Sequence, residues 1–277
     1  MIETHYLIGV DSDGTAFDSM NRKHIDAFIP AAIEIWHLKG ETAKRFAEIE
    51  KKVNLFSSLR GINRFPGLLK VFEQLNQEDV GLQDALPSLE PLRAYIQGTK
   101  KYSPATLQAW LQCHSSSGLE SVLAWSKRAD ELFAKACAGL PPFPGVKDTL
   151  TKMNQCACVA VVSSAAKHGL EHDWMAGGLM SSVDFLMSQE DGNKTEQLKM
   201  VQAKLESPVK TLMVGDTDAD RISAHKADAL FYPIVPGKEE QSWQMLREIV
   251  FPDFMKERYE KIQETAYCEQ LYAALGM

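Results

Sequence analysis

Six side chains in this 277-residue chain are of types, and stand at places, that suit chemistry. Asp11 and Asp13 follow directly on the apolar run YLIGV, and Asp216 and Asp220 follow TLMVG in the same way. Ser163, with Ser164 beside it, ends the run CVAVV, and Lys194 lies in the loop after VDFLMS. Carboxylates brought together without a counter-charge raise one another's pKa and cost stability. A hard divalent cation among them resolves the conflict, since Mg²⁺ takes oxygen ligands and keeps waters and a phosphate in its shell. A lysine and a serine hydroxyl nearby then suit an anionic, phosphate-like ligand.

Such residues need a scaffold that brings distant parts of the chain together. Apolar runs at 5–10, 158–164, 183–188, 211–216 and 229–235 read as buried strands. Helical patterns such as NKTEQLKMVQAKL and ADRISAHKA lie between them. Strands alternating with helices imply a parallel sheet with crossover connections. Ligands of open parallel sheets bind beyond the carboxyl ends of the strands, where all six residues fall. The expected fold class is α/β, a Rossmann-like parallel sheet of about five strands. From about 19 to 140 the patterns are helical throughout, as in HIDAFIPAAIEIWHL and ETAKRFAEIEKKVNLFSSL, broken by the loop SLRGINRFPG. Pro141, Pro142 and Pro144 make a stiff linker. Residues 1–18 and 141–277 are expected to form one domain, and residues 19–140 an inserted all-helical one. Trp36, Trp110 and Trp125 are expected to pack the insert.

The formal charge of -7 argues against broad electrostatic binding to nucleic acid or an anionic membrane. Five cysteines without a Cys-x-x-Cys pair are expected to be reduced and mostly buried, with Cys156 and Cys158 on one face of a strand, in a cytoplasmic protein. No apolar run approaches the roughly 20 residues of a membrane span, and the N-terminus has no signal-peptide pattern. A monomer or homodimer is expected. The helical tail 239–277, with Trp243, Phe251, Phe254 and Tyr272, either covers a sheet edge or makes a dimer contact.

The set VDSDGT, VVSS, Lys194 and MVGDTDAD resembles, in order, the four motifs of the haloacid dehalogenase superfamily. The insert stands where that family carries its helical cap of the first type, as in phosphoglycolate phosphatases and beta-phosphoglucomutases. The resemblance implies that Asp11 is a nucleophile and Asp13 a general acid and base. It implies phosphate contacts from Ser163 and Lys194 and from the turn at Ser12 and Gly14. It implies Mg²⁺ held by Asp11, the backbone carbonyl of Asp13, Asp216 and Asp220. Ser164 is an alternative to Ser163. The family usually shows Lys-Pro where this chain has Lys194-Thr195, which keeps Lys167 and Lys199 open as substitutes. Asp218 is expected to face solvent, and Arg60 and Arg64, bracketing a cap loop, to contact an anionic substrate.

Dehalogenase and phosphonatase members of the family lack the acid at the position of Asp13, and its transport ATPases carry threonine there. The expected activity is therefore a Mg²⁺-dependent phosphohydrolase acting on a small phosphorylated metabolite, with the cap, hinged at 15–20 and 139–146, opening and closing over the site. The alternatives are a phosphomutase of the beta-phosphoglucomutase type and a non-catalytic phospho-ligand-binding relative.

Overall fold

Unbroken apolar runs become strands buried on both faces, because alternate side chains point to opposite sides. In the computed structural model, which describes residues 4–77, 86–206 and 208–277, these strands are β1 (Tyr6–Val10), β2 (Cys158–Val162), β3 (Phe185–Met187), β4 (Lys210–Gly215) and β5 (Leu230–Pro233). All pair in parallel, in the order β3-β2-β1-β4-β5. Ile8, Val10, Val159, Val161, Leu212 and Val214 face one layer, which includes the helix Val146–Asn154 and the tail from Trp243 to Phe254. Leu7, Cys158, Ala160, Val162 and Met213 face the other, built on Leu198, Val201, Ala224 and Leu271. The fold class is the expected one.

The chain divides into two compact units, one of Met1–Ser19 with Gly139–Met277 and one of Met20–Ala138. In the second unit the helices Gly40–Leu55, Arg64–Gln77, Leu89–Gly98, Pro104–Cys113 and Ser117–Ala136 surround an aromatic core. Trp36 stacks on Trp125 at 6.1 Å between ring centroids, and the Trp125 indole donates to the Phe28 carbonyl at 3.1 Å. Trp110 is only partly buried against this core.

Among the described residues two helices widen to π geometry, at Arg22–Phe28 and Leu246–Val250. Each is followed by one residue and then a proline, Pro30 or Pro252. A proline ring crowds the carbonyl four residues back and offers it no N–H. The wider turn relieves that crowding, with the Ile29 amide reaching the His24 carbonyl and the Phe251 amide that of Leu246.

The tail covers a sheet edge. Among the described residues strand β5 has β4 on one side only, and on the other the Phe231 amide donates to Glu264 Oε2 at 2.9 Å. The Tyr259 hydroxyl donates to the Phe231 carbonyl at 2.7 Å. Side chains of the C-terminal segment thus bond the groups that a further strand would have paired. Trp243, Phe251 and Phe254 are buried within the same unit.

The cysteines depart from expectation. Cys113 and Cys156 are exposed and Cys137 is half-buried, leaving two buried thiols, Cys158 and Cys268. Cys156 precedes β2 in a turn, so it shares no strand face with Cys158. Burial pushes the thiols of Cys158 and Cys268 up to about 12. In the native protein at about pH 8, a disulfide reagent should therefore modify Cys113 and Cys156 quickly. Cys158 and Cys268 should react only after unfolding, which a thiol titration with and without denaturant checks.

Candidate active site

Two neighbouring strands, β1 and β4, deliver the acids. β1 ends one residue before Asp11, whose amide donates to the Val214 carbonyl of β4 at 2.9 Å, and β4 ends one residue before Asp216. Asp220 lies in the first turn of the helix Asp218–Lys226, whose start is fixed by a capping box. Asp220 Oδ2 accepts from the Thr217 amide at 3.1 Å and the Thr217 hydroxyl at 2.7 Å, which aims Oδ1 away from the cap. One carboxylate oxygen each from Asp11, Asp216 and Asp220 lies within 4.8 Å of the other two, and all three residues are buried.

Lys194 comes from the helix between β3 and β4 in the chain. Asn193 and Glu196 form a second capping box, which starts the helix Lys194–Gln202 at the lysine. A cation in the first turn opposes the helix dipole, so an external anion has to hold it there. Lys194 Nζ lies 2.8 Å from Asp11 Oδ1 and 2.5 Å from Asp220 Oδ1. Burial works against its ammonium, but Asp11 and Asp220 outweigh that and raise its pKa. Burial pushes the Asp11 carboxyl well above the usual carboxylate range, Lys194 opposes, and Asp220 and Asp216 add to the rise.

Three acids against one ammonium leave the cluster negative, and every donor in it is a carboxylate oxygen. That donor set fits a hard divalent cation and offers nothing to a soft one.

The remaining expected residues fall into place as follows. The Asp13 carboxylate stands apart from the cluster and accepts from the Ser19 hydroxyl at 2.5 Å. Gly14 adopts φ 75°, a left-handed conformation that favours glycine. Its amide donates to the Phe17 carbonyl, and the amides of Thr15, Ala16 and Phe17 converge on the Ser12 carbonyl. Gly14 therefore shapes the turn rather than offering a donor to a ligand. Ser12 is buried, and its hydroxyl accepts from the Trp174 indole at 3.0 Å. Ser163 is buried at the end of β2, with Oγ accepting from the Ala165 amide at 3.1 Å, whereas Ser164 is exposed. Lys167 and Lys199 are exposed, and Lys194 alone of the three reaches the acids.

Two expectations are corrected. Asp218 is half-buried rather than free in solvent: it accepts from Arg221 Nε at 2.6 Å and the Tyr272 hydroxyl at 2.9 Å, joining its helix to the tail. Arg60 and Arg64 are not free loop cations. Arg60 is buried and donates to the Leu55 carbonyl, while Arg64 begins a helix, pairs with Asp130 at 2.6 Å and donates to Ser126. The Leu55 carbonyl, Asp130 and Ser126 are thus among their partners.

Several positioning groups carry no sequence signal of their role. Gln197 Nε2 donates to the carbonyls of Ser163, Ser188 and Gly192 at 2.8, 2.6 and 2.9 Å, tying the ends of β2 and β3 to the helix of Lys194. The Trp243 indole donates to the Thr15 carbonyl at 2.8 Å, and the Thr15 hydroxyl donates to Asp216 Oδ1 at 3.2 Å. Gly215 leaves room for Asp220, since a Cβ there would stand 2.6 Å from Asp220 Oδ2. Gly215→Ala should displace that carboxylate and weaken divalent-cation affinity about tenfold, the effect typical of disturbed ligand support. Calorimetric titration with Mg²⁺ measures it.

The model of a family described as haloacid dehalogenase-like hydrolase matches residues 93–232, half of the chain. No curated protein sequence matches. Among solved structures, a predicted phosphoglycolate phosphatase from Haemophilus somnus is 15% identical with a TM-score of 0.49, over 84% of this chain and 86% of that one. A putative phosphoglycolate phosphatase from Lactobacillus delbrueckii is 18% identical with a TM-score of 0.46, over 84% and 86%. The L-2-haloacid dehalogenase from Xanthobacter autotrophicus with chloropropionic acid covalently bound is 16% identical with a TM-score of 0.41, over 91% and 86%. Among the described residues, no helix is long and apolar enough to cross a membrane.

Proposed function

The chain belongs to the haloacid dehalogenase-like hydrolases, and within that family we propose that it is a phosphohydrolase which cleaves the phosphate monoester of a small metabolite through an aspartyl-phosphate on Asp11. The observation that carries this reading is Asp13, a second carboxylate two residues from the buried one, held outside the acid cluster by Ser19. A halide leaves without a proton, so a dehalogenase has no use for an acid there. An alkoxide does not leave readily without one.

In the first step Asp11 Oδ attacks phosphorus, the bond from phosphorus to the ester oxygen breaks, and Asp13 gives its proton to that oxygen. In the second, the Asp13 carboxylate takes a proton from water, the water oxygen bonds to phosphorus, and Asp11 is released with inorganic phosphate. Lys194 balances the charge of Asp11 and of the phosphoryl oxygens, and Ser163 lies at the end of the adjacent strand. Mg²⁺, held by Asp11, Asp216, Asp220 and the Asp13 carbonyl, would supply charge neutralisation at the phosphoryl group. The small-metabolite class rests on the resemblance of the inserted helical unit to a first-type cap.

The test is hydrolysis of an aryl phosphate with Mg²⁺ and with EDTA. Turnover that needs the cation is the expected result. A folded, Mg²⁺-binding protein that turns over no phosphate ester but releases halide from a 2-haloacid overturns the reading.

A further inference from the structure

The turn between the two functional aspartates is held by tryptophans from two distant elements. Trp174, on the helix Lys167–Ala176, donates its indole N–H to Ser12 Oγ at 3.0 Å and packs edge-on against Phe17 at 5.9 Å. Trp243, on the helix Glu239–Met245, donates to the Thr15 carbonyl at 2.8 Å. Both rings are fully buried. A buried indole needs an acceptor somewhere, and core packing alone is satisfied by any carbonyl. Here one acceptor is the side chain of the residue between Asp11 and Asp13, and the other belongs to the residue that bonds Asp216. We propose that Trp174 and Ser12 form a positioning pair, which fixes Asp11 relative to Asp13 for the transition state of phosphoryl transfer, with Trp243 as the second anchor of the same turn.

Ser12 then serves through its hydroxyl as an acceptor toward the protein interior. A misplacement of even 1 Å at a nucleophile is worth up to about 10²-fold in rate. The pair's effect should therefore show on groups bound in transition-state geometry and not on ground-state phosphate.

The inference rests on the phosphohydrolase reading, and the test separates the two. Wild type, Ser12→Ala, Trp174→Phe and the double variant are compared for inhibition of aryl phosphate hydrolysis by orthovanadate and by inorganic phosphate. Each single variant should weaken vanadate inhibition and lower kcat by about tenfold, with phosphate inhibition and KM within about twofold of wild type. The double variant should be no worse than either single one, because the two groups act as one bond. Unchanged vanadate inhibition in the folded single variants overturns the inference while leaving the phosphohydrolase reading intact. So does a double variant whose loss is the product of the singles. Failure of the wild type to hydrolyse any phosphate ester overturns both. Ser12→Ala removes a single oxygen, and it carries the test alone if Trp174→Phe does not fold.

Discussion

Asp11→Asn should reduce phosphate ester hydrolysis by more than about 10⁴-fold, the scale of a lost nucleophile, and should make the metal-free protein harder to unfold. The first effect follows from chemistry, because an amide oxygen neither attacks phosphorus at a useful rate nor forms an acyl phosphate that water can open. The second follows from the electrostatics of the cluster. Burial, with Asp220 and Asp216 nearby, raises the Asp11 carboxyl despite the Lys194 ammonium. An acid whose folded pKa lies above its unfolded one binds more protons folded than unfolded. Its ionisation therefore removes stability as pH rises from the unfolded value through the folded one. Wild type without metal should lose stability across that window, and Asp11→Asn should lack that loss. Thermal unfolding in EDTA across a pH series measures it, at roughly 2–4 °C for each kcal/mol relieved in a protein of this size. Excess Mg²⁺ should narrow the gap by stabilising wild type more than the variant. A variant less stable than wild type in EDTA at neutral pH would mean that the Lys194–Asp11 pair outweighs the crowding of acids.

Much of this site is legible in the sequence because its residues follow strand ends. An apolar run that stops at an acid announces both the strand and the place of the acid, as at Val10-Asp11 and Gly215-Asp216. The capping boxes are legible too: Asn193-Lys-Thr-Glu196 and Thr217-Asp-Ala-Asp220 each mark a helix start within three residues. Partners distant in sequence are not legible. Nothing in the local patterning says that the indoles of Trp174 and Trp243 meet residues 162 and 228 positions away. Arg60 and Arg64 read as loop cations because both sit near glycine and proline breaks, yet Leu55, Ser126 and Asp130 claim them. Asp218 stands three residues before Arg221, a pairing that spacing allows, while its bond to Tyr272 needs the tail folded back. The edge role of Glu264 and Tyr259 is hidden for the same reason, since neither is near β5 in the patterning of its own helix or turn.

Asp13→Asn should separate the two steps of the reaction by the leaving group. An alkyl phosphate expels a strongly basic oxygen, so loss of the acid should slow its cleavage by about 10²–10⁴-fold. An aryl phosphate with an acidic phenol leaves without a full proton, so attack by Asp11 should proceed at closer to the wild-type rate. The second step then lacks its base. Water has to open the acyl phosphate without help, and phosphorylated Asp11 should accumulate during aryl phosphate turnover. Rapid mixing should show a burst of phenol equal to the enzyme, followed by a slow phase. Intact mass should gain one phosphoryl group, which hydroxylamine removes. Ser19 holds the Asp13 carboxylate at one oxygen, so Ser19→Ala should weaken both steps together and give no burst. A uniform loss for alkyl and aryl esters in Asp13→Asn, without burst or mass gain, would instead place Asp13 in support of the turn and take the acid and base functions away from it.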